Sequence, residues 1–170
     1  RIIFNGNFGI INQALAVIGI KGPGWLTTPG LLIVVISLIG LWGGIGFNMI
    51  VLSAGLKGIP YDYYEAAELD GASKSRQFVS ITAPLMTPTI FFLMIMQFIG
   101  GFQVFTALYV IMGPHNPQMA KSQTLVYLFY NQGFTLNNVG YAAAVAVLIL
   151  VIIGIITAAQ FALQKKWVFK

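Results

Sequence analysis

Residues 31–54 read LLIVVISLIGLWGGIGFNMIVLSA, a stretch of 24 residues without a charged side chain. A helix that crosses the hydrocarbon core of a bilayer, about 30 Å thick, needs about 20 apolar residues. A surface helix of a soluble protein would instead carry polar and charged side chains along one face. The stretch therefore predicts a transmembrane helix, and it sets the environment in which the rest of the chain must fold.

The whole chain has a composition like that of this stretch. Of its 170 residues, 58% are hydrophobic and 8% are charged, and the mean hydropathy is +0.85. A soluble domain carries about 25% charged residues, so this chain could not cover a water-facing surface. The composition also excludes intrinsic disorder, and the absence of cysteine excludes a disulfide framework, a thiolate metal site and a cysteine nucleophile.

The longest intervals between charged residues, of 35, 44 and 43 residues, each hold one helix of bilayer length. The second interval does not hold two helices, because Gly113, Pro114 and Pro117 end its apolar run. We predict an all-α polytopic membrane protein with three spans. The predicted segments are an extracytoplasmic short helix or loop at 1–30, spans at 31–54, 85–112 and 139–163, a cytoplasmic loop at 55–84, an extracytoplasmic loop at 113–138 and a cytoplasmic tail at 164–170.

The basic residues between the spans predict the orientation. Six of the nine lie in 55–84 and 164–170, and three lie in the other two segments. Cytoplasmic loops carry the excess of lysine and arginine, so the loop and the C-terminal tail are expected in the cytoplasm. Trp25 and Trp167 are expected at opposite interfaces. The chain begins at Arg1 with neither a signal peptide nor a span, so we expect it to be a C-terminal fragment whose N-terminal spans are missing.

The predicted cytoplasmic loop contains all four acidic residues of the chain within nine positions. They are Asp62, Glu65, Glu68 and Asp70. Pro60 suits a first helical turn, and Asp70-Gly71 suits a helix end. Ser73 can cap a second helix that runs to Ile81 and closes at Pro84, where the next span begins. The loop is therefore predicted to be a helix, a glycine elbow and a second helix.

The spacing within this loop resembles a known signature. The matching residues are Glu65-Ala66-Ala67, then after three residues Gly71, then after nine residues Ile81, and after one more Ala83-Pro84. This pattern is similar to the EAA loop of permease subunits of binding-protein-dependent ABC importers, although that signature has leucine where Ala83 stands.

Other stretches resemble the carbohydrate branch of that family, close to the first of the two permeases in maltose-type and multiple-sugar importers. They are the run around Leu69-Asp70-Gly71-Ala72, the opening Phe4-Asn5 and the C-terminal Gln164-Lys165-Lys166-Trp167-Val168. The resemblance covers essentially all 170 residues. The run Met112–Pro117 departs from the Thr-x-Gly-Gly-Pro usual in the family.

The resemblance implies that the loop is a coupling helix that docks into a cytoplasmic ATPase. It assigns ATPase coupling to Glu65, Ala66, Ala67, Asp70, Gly71, Ile81 and Pro84. Glu65 would orient or pair at the interface, the two alanines would permit close approach, and Gly71 would set the elbow. Charge alone leaves an alternative open, in which the loop is an ordinary amphipathic segment whose acids pair with Lys74 and Arg76.

The spans contain no Asp, Glu, Lys, Arg or His at depth, which argues against an ion-coupled transporter and favours a neutral, hydroxyl-rich solute. The resemblance places Gly44 and Phe47 on the first span, and Gln97 and Gly101 on the second, along a solute path. Asn48 shares a helix face with Gly44, as Gln97 does with Gly101. For each amide an interhelical hydrogen bond is the alternative, and for the glycines it is close helix packing.

The sequence contains no catalytic constellation and no phosphate-binding glycine loop, so we predict that the chain is not an enzyme. His115 alone supports neither catalysis nor a metal site. No cofactor is expected in this chain, because the resemblance assigns ATP and Mg²⁺ to partner ATPase subunits.

Together, the residues and the resemblance predict part of a permease subunit of an ATP-driven carbohydrate importer in a prokaryotic plasma membrane. The implied partners are a second permease, two cytoplasmic ATPase domains, an extracytoplasmic solute-binding protein and the lipid bilayer, with no nucleic acid. Two alternatives stay open: an importer of another solute, such as a polyol, a glycerol phosphate or a peptide, and a membrane scaffold that transports nothing.

Overall fold

The computed structural model describes residues 2–28, 30–112 and 123–167, and within these ranges it contains helices and no β-strand. The helices are α1 (Ile10–Val17), α2 (Leu31–Lys57), α3 (Asp62–Leu69), α4 (Lys74–Gln77), α5 (Ala83–Phe102), α6 (Thr106–Met112), α7 (Leu125–Tyr130) and α8 (Val139–Trp167). Two π-helical turns, Phe78–Thr82 and Asn131–Thr135, follow α4 and α7. The predicted all-α class is confirmed.

Three helices of the described chain are long and apolar enough to cross a membrane: Leu31–Lys57, Lys74–Phe102 and Val139–Lys165. At 1.5 Å per residue, 27 residues extend about 40 Å, which exceeds the hydrocarbon thickness. Their large apolar side chains are mostly exposed within this chain, as Trp42 at 80% and Leu150 at 72% illustrate. Such surfaces suit contact with lipid or with other spanning helices, and the predicted number of three spans is confirmed for the described residues.

The second long helix begins earlier than predicted. Pro84 was expected to close a cytoplasmic helix, but α4 continues through the π turn Phe78–Thr82 into α5, so the helix is unbroken from Lys74 to Phe102. A proline interrupts a helix because its ring collides with the carbonyl four residues earlier. Here that carbonyl belongs to Ser80 and lies in the wider π turn, which accommodates the ring.

The same helix also ends earlier than the predicted span at 85–112. It stops at Phe102, and the non-helical residues 103–105 separate it from α6. Gly100 and Gly101 are poor helix formers and precede this break. The hydroxyl of Thr124 donates a 2.8 Å hydrogen bond to the carbonyl of Val104, so a side chain satisfies a backbone group that the break leaves free.

The predicted outer loop at 113–138 is only partly described. Residues 113–122, which include His115, lie outside the described residues. The remainder contains α7 and the π turn after it, where a loop was predicted. Thr124 caps α7 by accepting from the backbone N–H of Tyr127 at 3.2 Å. The apolar sequence LVYLFY of α7 explains the difference, because it buries Tyr127 rather than facing water.

The described chain divides into two compact units. One comprises Arg1–Gly43 and Phe102–Leu150, and the other comprises Gly44–Gly101 and Val151–Lys170. The first unit has a buried cluster of Leu32, Ile36, Leu108 and Tyr127, with Phe105 and Tyr109 packed against it. Asn12 holds the N-terminal segment of this unit together. Its carboxamide accepts from the indole of Trp25 at 2.6 Å and donates to the carbonyls of Gly6 and Pro23.

The second unit contains α3, α4, most of α5 and parts of α2 and α8. Phe91 and Phe161 meet edge to face with ring centres 5.5 Å apart, which joins α5 to α8. Gly55 of α2 lies so close to α5 that a Cβ added there would be 2.6 Å from the hydroxyl of Thr89. Close backbone approach at small residues is a common way to pack spanning helices, because dispersion contacts replace the hydrophobic effect in lipid. This unit also contains the residues of the predicted loop.

Candidate functional site

The first helix of the predicted loop, α3, lies on the surface of the chain. It begins after Pro60, with the N–H groups of Tyr64 and Glu65 bonded to the carbonyl of Tyr61 at 2.8 and 3.1 Å. Asp62 and Glu65 occupy its first turn, where a carboxylate interacts favourably with the positive end of the helix dipole. No residue of α3 is buried, and Leu69 is 90% exposed. The helix therefore presents a free surface within this chain.

Gly71 forms the elbow that ends α3. Its φ is +73°, a left-handed conformation that disfavours residues with a Cβ. The N–H of Gly71 bonds to the carbonyl of Glu68 at 3.0 Å, and the N–H of Ala72 bonds to the carbonyl of Ala67 at 2.8 Å. This pair of bonds is the Schellman motif, which satisfies the last carbonyls of a helix and turns the chain sharply.

The second half of the loop is fixed by two side chains. Ser73 caps α4, with its Oγ accepting from the N–H of Arg76 at 3.4 Å, as predicted. Gln77 at the end of α4 is only 3% exposed, and its Nε2 donates to the carbonyl of Ala72 at 3.2 Å. A buried amide thus holds the residue that follows the elbow.

An ion pair between Glu68 and Lys74 also crosses the elbow. The hydrogen bond from the ammonium group, and then its positive charge, lower the pKa of the Glu68 carboxyl below its usual range. Both side chains are largely exposed, at 45% and 80%, so solvent screens the pair and it adds little stability. Within the described residues Asp62, Glu65 and Asp70 form no ion pair, so pairing of acids with basic residues of the loop accounts for one acid only.

A further hydrogen bond joins α3 to the end of the π turn. The hydroxyls of Tyr64 and Thr82 lie 2.8 Å apart, and Thr82 is 8% exposed. An open cavity of about 370 Å³ adjoins this bond, between α3 and the helix that follows. It is lined by Tyr61, Tyr64, Lys74, Gln77, Phe78 and Thr82.

The residues assigned to ATPase coupling occupy two different surroundings. Glu65 and Ala66 are exposed on α3 and Ala67 is half-buried, while Asp70 caps the C-terminus of α3. Ile81 lies in the π turn and Pro84 in the first turn of α5, and both are half-buried. The structure therefore places the first group on one exposed helix and the last two on the helix that leads into the second span.

Three of the five residues assigned to the solute path lie together. A Cβ added at Gly44 of α2 would lie 3.4 Å from Nε2 of Gln97 and 3.5 Å from Nδ2 of Asn48. The Oδ1 of Asn48 is buried and has no hydrogen-bond partner among the described residues. A buried amide oxygen needs a partner, because an unmatched polar atom costs about 1–3 kcal/mol. The polar cluster of Gly44, Asn48 and Gln97 thus retains a free acceptor.

Phe47 and Gly101 border open space instead. The side chain of Phe47 is 51% exposed, and a Cβ at Gly101 would meet no described atom within 4 Å. Open space within one chain is available for lipid, for another subunit or for a solute.

Sequence reasoning missed several polar residues that the structure singles out. Gln160 in α8 has both amide atoms buried without a partner in the described chain. It is the one amide between residues 139 and 163, and an amide within an apolar run could have drawn attention to it. Gln77 was not singled out either. Tyr64 and Thr82 were missed because the hydrogen bond between them depends on the π turn Phe78–Thr82, which no sequence pattern predicted.

These features define a class of protein: a polytopic α-helical membrane protein that presents an exposed short helix, through a glycine elbow, at the start of a spanning helix. Within this class, the chain belongs to the family described as the inner membrane component of binding-protein-dependent transport systems, whose model matches residues 3–169. The predicted family resemblance is confirmed, and the family is one of transport subunits of the membrane rather than of enzymes.

Curated relatives are permeases of several transport systems. The chain is 39% identical over 170 residues to the probable ABC transporter permease protein YesP of Bacillus subtilis, covering 99% of the chain and 54% of YesP. It is 35% identical to the sn-glycerol-3-phosphate transport system permease protein UgpA of Agrobacterium fabrum, covering 96% and 55%. It is 31% identical to the arabinooligosaccharides transport system permease protein AraP of Bacillus subtilis, covering 92% and 51%. The chain therefore spans about half the length of the curated relatives it matches.

A solved structure has the same fold. It is a bacterial alginate ABC transporter in complex with an alginate pentasaccharide-bound periplasmic protein, and one of its chains matches with a TM-score of 0.82. The match covers 97% of this chain and 57% of that chain at 23% sequence identity. This similarity supports the arrangement of helices described above.

Proposed function

We propose that this chain is part of a permease subunit of an ATP-driven importer, and that α3 couples it to a cytoplasmic ATPase. The observation that carries the proposal is the Schellman elbow at Gly71, which joins α3, a surface helix without a buried residue, to a helix continuous from Lys74 to Phe102. A partner that displaces α3 thereby acts on a spanning helix. Glu65, Ala66 and Ala67 are the contact residues of α3 in this proposal, and Asp70 and Gly71 form the turn that ends it.

The loop residues 55–84 and the C-terminal tail then face the cytoplasm, and the polar cluster lines the solute path. ATP binding closes two ATPase domains, α3 moves with them, and the cavity shared with a second permease opens outward to a solute-binding protein. Hydrolysis resets the cycle. ATP and Mg²⁺ are held by the partner subunits, so this chain itself carries no cofactor.

The proposed solute is a carbohydrate. The predicted spans contain no Lys, Arg or His that could balance an anionic solute, and the polar cluster offers amide groups, which suit hydroxyls. AraP, a permease for arabinooligosaccharides by name, supports this proposal. UgpA, named for sn-glycerol-3-phosphate, makes a phosphorylated polyol the second candidate.

Affinity purification of the full-length subunit from its native membrane in mild detergent tests the proposal first. A second permease and an ATPase in stoichiometric amounts are expected. Recovery of the subunit alone, or with unrelated cytoplasmic proteins, would refute coupling and favour a scaffold role.

The complex, reconstituted with its binding protein, would then be assayed for ATP hydrolysis with a panel of sugars, polyols and glycerol phosphates. Stimulation by a neutral sugar is the expected result. Stimulation by a glycerol phosphate alone would refute the carbohydrate assignment and leave the importer assignment intact.

A further inference from the structure

The glycine elbow separates α3 from the spanning helix by a joint that has little steric restraint of its own. A Cβ added at Gly71 would meet no described atom within 4 Å. If this joint bent freely, a displacement of α3 would be absorbed there and would not reach the helix that follows. Contacts that cross the joint must therefore set its angle.

Two side-chain links cross the elbow, and a third lies just after it. The ion pair between Glu68 and Lys74 is exposed and screened, so it restrains the joint weakly. The bond from the buried Gln77 to the carbonyl of Ala72 is half-buried and joins residues five apart, so it fixes the backbone just after the glycine. The bond between Tyr64 and Thr82 joins residues 18 apart and connects α3 directly to the start of the second span.

The π turn places Thr82 for this bond. Residues 78–82 form a wider turn than the α-helix on either side, which changes the direction of the side chains after it. Thr82 is then buried at 8% exposure against Tyr64, while Phe78 and Val79 remain exposed at 61% and 67%. A π turn is less favourable than an α turn, and such turns are frequent at functional sites. Here the hydrogen bond between Tyr64 and Thr82, which links the two helices, offsets the cost of the π turn.

We propose that Tyr64, Thr82 and Gln77 are positioning residues that lock the angle between α3 and the second spanning helix. The lock passes a displacement of α3 to that helix instead of letting Gly71 absorb it. This inference rests on the proposed function, because it concerns how the ATPase signal crosses the loop. None of the three residues needs to touch the ATPase for it to hold.

Variants that remove only hydroxyl groups test the lock. Tyr64→Phe and Thr82→Val each delete one partner of the shared bond and keep the side-chain volume. In the full-length complex, each is expected to lower the ratio of solute-stimulated to basal ATP hydrolysis about fivefold, the population change that corresponds to one net hydrogen bond. The double variant should be no worse than either single one, and Thr82→Ser should retain the wild-type ratio. Gln77→Leu should also lower the ratio.

Ser80→Ala and Tyr141→Phe are matched controls. They remove an exposed hydroxyl from the π turn and from α8, and neither residue belongs to the lock. Both should leave the ratio and the amount of bound ATPase unchanged. Equal losses in controls and lock variants would overturn the proposal, as would an unchanged ratio in Tyr64→Phe and Thr82→Val.

A distance measurement separates failure of the lock from failure of the proposed function. Leu69→Cys and Phe92→Cys carry spin labels on α3 and α5, in a complex whose cysteines outside the given sequence have been replaced; the given sequence itself contains none. A narrow distance distribution is expected, broadened by Tyr64→Phe. A broad distribution in the labelled protein that keeps Tyr64, or a narrow distribution in the labelled Tyr64→Phe variant, would overturn the lock. A complex whose hydrolysis no solute stimulates would instead refute the proposed function, while the label distances would still decide on the lock.

Discussion

Replacing Gly71 by alanine changes the elbow by one methyl group. Since a Cβ at this position would meet no described atom within 4 Å, the cost of the substitution comes from the backbone alone. An L-residue in the left-handed conformation costs about 1–2 kcal/mol relative to the right-handed one. That energy lowers the population of the elbow about five- to thirtyfold. Gly71→Asn should cost less, and Gly71→Pro should cost most, because proline fixes φ near −65°.

The expected outcome is a graded loss of coupling. In the reconstituted complex, the ratio of solute-stimulated to basal ATP hydrolysis should fall in the order glycine, asparagine, alanine, proline, with proline abolishing stimulation. The amount of subunit in the membrane should not change, because α3 is exposed and contributes no buried side chain. Quantitative immunoblotting of the membrane fraction checks this requirement.

Gly19 supplies a matched control from outside the loop. It ends α1 with φ +77°, its added Cβ would also meet no described atom within 4 Å, and the N–H of Ile20 bonds to the carbonyl of Leu15 at 2.9 Å, as in the elbow at Gly71. Gly19→Ala therefore costs the same backbone energy and should leave stimulation unaltered. Undiminished stimulation in Gly71→Ala, or an equal loss in Gly19→Ala, would refute the reasoning.

Three further predictions concern the same unit. Gly55→Ala should lower the melting temperature of the purified subunit, because its Cβ would lie 2.6 Å from the Thr89 hydroxyl. Adding Thr89→Ala in the same chain should restore most of the lost melting temperature, and no restoration would contradict the close approach. Gly44→Leu should block uptake of radiolabelled solute. Gly44→Ala should be tolerated, because its single added carbon would lie 3.4 Å from Gln97 and 3.5 Å from Asn48, which is ordinary contact. Equal uptake by the two variants would exclude Gly44 from the path. The pKa of Glu68 is lowered in the folded chain. The contribution of its ionised form to stability is therefore present above the pKa of the unfolded chain and is lost only as pH falls through the lower folded value. Lys74→Gln should therefore show the wild-type pH profile of stimulated hydrolysis between about pH 5 and 8, where an ordinary glutamate is ionised, and a divergence within that range would contradict the assignment.

Hydropathy and charge predicted the fold well because the bilayer imposes one strong rule, that spanning backbone must be hydrogen-bonded within its own segment. An uncharged, apolar run as long as 31–54 therefore predicts a spanning helix. Gly71 was predicted for a similar reason, since a helix stop followed by a capping serine leaves few backbone solutions. The confirmed cap at Ser73 follows from the same local chemistry.

The boundaries of the second span were not predictable, because two distant or unusual interactions decide them. Pro84 usually ends a helix, and only the π turn before it lets the helix continue. The helix break after Phe102 leaves the carbonyl of Val104 free, and this carbonyl accepts from the hydroxyl of Thr124, 20 residues away. Local propensity contains no information about either arrangement. The same limit explains why Tyr64 and Thr82 went unnoticed.

The polar cluster and the loop lie in one compact unit, and α5 connects them. From Thr82 to Gln97 the helix rises about 22 Å at 1.5 Å per residue. Pro88 lies between them and lacks an N–H, which leaves the carbonyl of Pro84 without its usual donor, but the hydroxyl of Thr87 donates to that carbonyl at 2.7 Å. The helix is therefore braced at the point where proline would weaken it, and the close approach of Gly55 to Thr89 holds α2 against it there. A displacement of α3 that the lock passes to Thr82 can thus travel along a braced helix to Gln97, as the proposed coupling between an ATPase at the loop and a solute path at the polar cluster requires.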